Sequence, residues 1–73
     1  MNNFIKISAY NYYKPSAIVT IYINVNCIIS IDQVIENEET LYMVTTMEKI
    51  YRIPKSSYDY LVNLLYGKEP ENA

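Results

Sequence analysis

Ala17-Ile18-Val19-Thr20-Ile21-Tyr22-Ile23-Asn24 is the stretch on which the fold turns. Every residue from Ile18 to Ile23 is β-branched or aromatic, the types that pack well on a pleated surface. Alternation at period two puts Val19, Ile21 and Ile23 on one face and Ile18, Thr20 and Tyr22 on the other, which predicts a strand. Upstream, Phe4-Ile5-Lys6-Ile7-Ser8 alternates from Ile5 onward and predicts a first strand with Ile5 and Ile7 inward. The two are separated by Tyr10-Asn11-Tyr12-Tyr13-Lys14 and Pro15-Ser16, where proline removes a ladder donor and a loop is expected.

Downstream, the asparagines of Asn24-Val25-Asn26 give a turn signal, because their side chains bond nearby backbone groups. Cys27 to Ile35 reads as a third strand, irregular enough to hold a bulge. Glu36-Asn37-Glu38-Glu39 has the charge of a solvated hairpin tip, Thr40 to Thr45 is a fourth strand, and Thr46 to Lys49 links it to a fifth, Ile50 to Ile53. Tyr51 and Arg52 fall on opposite faces of that last strand. Three short links in succession predict an antiparallel meander.

Pro54 ends the sheet, and Ser56-Ser57-Tyr58-Asp59 offers a hydroxyl N-cap with an acidic residue in the first turn. A helix from Ser57 to Tyr66 follows, with Tyr58, Leu61, Val62 and Leu65 as one apolar stripe and Gly67 as a left-handed C-terminal cap. Tyr60 and Leu64 form a second apolar pair, which is either the margin of the same stripe or a subunit interface. The expected architecture is α+β, a mainly antiparallel five-stranded sheet (a meander) with one C-terminal helix packed on it. Residues 1–67 make a single domain, and the acidic tail 68–73 is expected to fray.

A chain of 73 residues buries only about 60% of the surface its unfolded form exposes. With one cysteine, Cys27, and no histidine, neither a disulfide nor a structural zinc site supplements that core, which leaves assembly into a homo-oligomer. No apolar run approaches the roughly 18 residues of a membrane span, and Met1-Asn2-Asn3-Phe4 lacks the start of a signal peptide, so a cytoplasmic, non-membrane protein is expected. Six cations scattered among eight anions do not form the one-sided basic surface that duplex nucleic acid requires.

Lys14-Pro15 leading into Ile21 to Val25, then Ile28-Ile29-Ser30-Ile31, Thr40-Leu41-Tyr42 and Tyr51-Arg52-Ile53-Pro54-Lys55-Ser56, resembles small proteins of the flagellar FlbD type. Phage and mobile-element reading frames built on the same plan resemble it too, over about residues 20–65. The chain departs from that plan in having Met47-Glu48-Lys49 where a glycine is usual, and in a longer segment from Ser8 to Ala17. The resemblance implies the fold and a phage or mobile-element origin.

Catalysis finds no footing, since no histidine is present to activate Cys27, which reads as a partly buried structural thiol. Glu36, Glu38 and Glu39 lack the pattern of a cation loop, and Gly67 is the single glycine, so no phosphate-cradling loop exists. No cofactor is implied. Asn, Lys, Ile and Tyr make up 33 residues, all with A/T-rich codons, so part of the excess of nine tyrosines reflects codon bias. The cluster Tyr10, Asn11, Tyr12, Tyr13 and Lys14 is harder to assign to drift, and with Arg52 it forms the candidate binding site. Three readings stay open for it: Tyr10 and Tyr12 complete a small core, the loop anchors a protein partner, or the rings stack on a nucleotide while Lys14 or Arg52 meets a phosphate. The expected function is a small non-enzymatic protein that inhibits or sequesters a host protein through this loop. The alternatives are a nucleotide or small-ligand sponge with an intersubunit pocket, or a purely structural oligomeric module.

Overall fold

The computed structural model describes residues 3–67, so the expectation for 68–73 lies outside the described residues. The elements are β1 (Phe4–Tyr10), β2 (Ile18–Asn24), a 3-10 turn (Val25–Cys27), β3 (Ile28–Glu36), β4 (Glu39–Thr46), β5 (Ile50–Ile53) and α1 (Lys55–Tyr66). All five expected strands and the C-terminal helix form, giving an α+β fold.

The strands do not join into a single five-stranded sheet. β1 and β2 form an antiparallel pair, and β3, β4 and β5 form a separate antiparallel meander. The division is made at the 3-10 turn. Val25 N–H donates to the Asn3 carbonyl (2.9 Å), extending the first sheet, whereas the Cys27 carbonyl accepts from Met47 N–H (2.9 Å), extending the second. The chain changes sheets within these residues, and the Asn24 side chain fixes the corner by accepting from Asn26 N–H at 2.9 Å. On the other side β1 runs beside β5 without a shared ladder. There the Ser8 carbonyl takes the hydroxyl of Ser57 at 2.8 Å, so a helix side chain engages backbone that a continuous sheet would offer to a strand.

The register confirms the face assignments: Ile5 pairs with Ile23, Ile7 with Ile21 and Ala9 with Val19, all inward. The core gathers Ile7, Ala9, Ile23, Val44, Ile53 and Leu61 from both sheets and the helix. The irregularity expected in β3 is a break in register between Ile28 and Ser30. At the hairpin tip Asn37 and Glu38 adopt φ of 53° and 63°, the signs required of a two-residue primed turn matched to strand twist.

The helix differs from expectation at its start. It begins at Lys55, with Pro54 in the cap position and no side-chain cap. Proline favours this boundary because its fixed φ suits the entry and it has no N–H to satisfy. Ser57 therefore lies inside the first turn, buried, with its hydroxyl given to β1 and not to the helix end. Asp59 falls beyond the first turn and pairs with Lys55 at 2.9 Å. Leu61 is fully buried, Tyr58, Val62 and Leu65 are half-buried, and the Tyr58 ring lies 4.8 Å from that of Tyr42. Gly67 closes the helix with φ 66° and its N–H on the Asn63 carbonyl, as expected of a left-handed cap.

Candidate functional site

The loop between β1 and β2 is shaped by Asn11. Its Oδ1 accepts from the N–H groups of Tyr13 (2.7 Å) and Lys14 (3.0 Å), while its own N–H donates to the Ala17 carbonyl (2.9 Å). A further bond from Ala17 N–H to the Lys14 carbonyl (2.8 Å) closes the turn through Pro15-Ser16. These bonds hold the backbone in a tight bend, so Tyr12 and Tyr13 are carried off the sheet. The two rings are 83% and 90% exposed and meet edge to face, centroids 5.1 Å apart. Completion of the core is accordingly not the role of Tyr12.

Tyr10, at the end of β1, is half-buried beneath the Arg52 guanidinium, 5.1 Å from its ring centroid. A matching pair lies alongside. Thr46 Oγ1 donates to the Lys49 carbonyl (3.0 Å) and accepts from Glu48 and Lys49 N–H (3.2 Å each), fixing the turn that places the Lys49 ammonium 5.1 Å from the Tyr51 centroid. Each cation–ring contact stabilises by about 0.5–1 kcal/mol at an exposed position and restricts where the charge sits.

Tyr10, Asn11, Tyr12, Tyr13 and Arg52 border one groove of about 840 Å³. Pro15, Val19, Ile21, Met43, Lys49, Ile50 and Tyr51 complete the lining, in which there is no carboxylate. Lys14 is exposed on the loop but does not line it. Tyr51 and Arg52, on opposite faces of β5, both reach the groove because it opens beside that strand. Lys49, Tyr51 and Met43 were missed by sequence reasoning. Lys49 lies in the turn just before β5, bonded through its backbone to Thr46, and Met43 is the cross-strand partner of Arg52, so Met43 follows once the register of β5 is known and Lys49 once that turn is. Among the described residues neither Lys49 nor Arg52 is in a salt bridge.

Tyr60 and Leu64 lie on one face of α1, 47% and 44% exposed. Tyr60 borders a separate small recess with Lys6, Thr20 and Ser56. Cys27 is half-buried and free. Among the described residues no His, Cys, Asp or Glu side chains gather in the way a metal ion needs, and no helix is long and apolar enough to cross a membrane. Comparison with family models, curated proteins and solved structures finds no match to this chain.

Proposed function

We propose that this chain is a non-enzymatic protein-binding module that sequesters or inhibits a partner protein through the tyrosine-lined groove. One observation carries the reading: an open, mainly apolar groove whose two cations are held against ring faces and whose lining lacks any carboxylate. Tyrosine and arginine are residues on which binding energy concentrates at protein interfaces, tyrosine because it brings large contact area at small conformational cost and arginine because its planar guanidinium carries five donors. The exposure of Tyr12 and Tyr13 fits a surface that another protein covers, whereas small-ligand sites enclose most of their ligand. The perpendicular arrangement of those rings also suits side-chain insertion better than the parallel stacking of a base. Small size, composition and the resemblance to the FlbD-type plan together suggest an accessory protein of phage or mobile-element origin, with a host protein as the partner.

The test is affinity capture from cell lysate with the natural chain and with Tyr12→Ser/Tyr13→Ser, two positions so exposed that the fold survives their loss. Disappearance of a specifically captured protein with the variant, at unchanged melting temperature, supports the reading. Capture of the same protein by both removes the groove from recognition.

A further inference from the structure

We propose that the groove takes the end of the β3–β4 hairpin from a second copy of this chain, in a reciprocal dimer that masks the site until a partner displaces it. The inference rests on the reading of the groove as a protein-recognition surface. Charge complementarity selects the occupant. Residues 32 to 40, the hairpin end, hold four carboxylates, Asp32, Glu36, Glu38 and Glu39, and no cation, while the groove holds Lys49 and Arg52 and no carboxylate. The hairpin end is exposed throughout, from Asp32 to Thr40, and carries the apolar Val34 and Ile35 between its acids, a match to the apolar floor of the groove.

Two further features point the same way. Glu36 stands directly opposite Glu39 in the ladder, a like-charge pair that destabilises a hairpin unless a cation approaches, and among the described residues neither is in a salt bridge. β5 pairs with β4 only from Tyr42 to Thr45, so the hairpin projects past it by the residues from Glu39 to Leu41, about 10 Å of strand. A paired, extended arm cannot fold back onto a groove bordered by Met43 of the same strand, so the contact is between copies. When each arm enters the other's groove the contacts close as a two-fold dimer and do not propagate.

Sedimentation of the full chain across a concentration series tests this with two charge reversals, Lys49→Glu/Arg52→Glu in the groove and Glu36→Lys/Glu39→Lys on the arm. The natural chain is expected to dimerise, with a Kd that rises at least about tenfold on going to ~0.5 M salt, where charge interactions are screened. Each reversed variant is expected to be monomeric, and their equimolar mixture to recover the dimer, since each reversed surface then meets its complement. The arm variant keeps like charges opposite each other, so its hairpin is not altered by charge balance. If either reversal unfolds the chain, Arg52→Gln and Glu39→Gln replace it, each expected to weaken the dimer about tenfold. A monomer at every concentration overturns the proposal, as does a dimer indifferent to both changes, or loss in each variant without recovery on mixing. A monomeric natural chain whose partner capture still depends on Tyr12 and Tyr13 sinks the dimer alone. A recovered dimer with capture unaffected by Tyr12→Ser/Tyr13→Ser sinks the partner reading and leaves the dimer.

Discussion

Replacing Ser57 by alanine and by glycine separates the two roles that a serine near a helix start can play. In the structure its hydroxyl donates to the Ser8 carbonyl at 2.8 Å, and the residue is buried at the third position of α1. Loss of that bond costs about 1 kcal/mol, and alanine recovers up to about 0.5 kcal/mol of it through better helix propensity. Glycine recovers nothing and adds roughly 0.5 kcal/mol of helix penalty, so Ser57→Gly is expected to lie about 1 kcal/mol below Ser57→Ala. For a domain of this size that is about 4–8 °C in Tm. Were Ser57 the cap, the order would reverse, because glycine is tolerated at that position within a few tenths of a kcal/mol while alanine costs about 1 kcal/mol. Urea unfolding with equal m-values for the two variants is the assay, with Ser56→Ala as an exposed control expected to change little. A glycine variant more stable than the alanine variant refutes the tether between α1 and β1.

Glu38 occupies a left-handed conformation, φ 63°, so Glu38→Gly is expected to raise stability by about 0.5–1 kcal/mol, read as a higher urea midpoint. Gly67 has φ 66° with open space where a Cβ would stand, so Gly67→Ala is expected to cost about 1 kcal/mol by conformation alone, and Gly67→Asn less. The hydrogen bond from Lys55 to Asp59 raises the lysine pKa above its ordinary value. A raised pKa contributes its stability below the unfolded value and loses it as pH rises through the folded one. Asp59→Asn should therefore leave the pH dependence of Tm unchanged from neutral to mildly alkaline conditions, and remove only a small decline at strongly alkaline pH.

Strand positions were legible because burial on one face imposes period two. Val19, Ile21 and Ile23 announce their face without reference to anything distant. The same holds for Gly67, whose isolation after an apolar stripe marks a cap. How the strands are shared between sheets was not legible, since the deciding bonds, Val25 to Asn3 and Met47 to Cys27, join backbone groups that carry no side-chain signal. The pair Ser56-Ser57 misled for a related reason: a hydroxyl at a helix start has a local use, and only the tertiary approach of β1 offers that of Ser57 a different one. In the candidate site the loop from Tyr10 to Lys14 could be named from its composition. Lys49 and Met43 could not, because their place beside Arg52 depends on the turn at Thr46 and the register of β4 with β5.

Amide hydrogen exchange on the chain bound to its captured partner tests the central claim most directly. Binding in the groove predicts added protection in residues 10–14 and 49–52, where the tyrosines and the two cations stand, with α1 unchanged. Protection confined to α1 around Tyr60 and Leu64, with 10–14 and 49–52 exchanging as in the free chain, would contradict it.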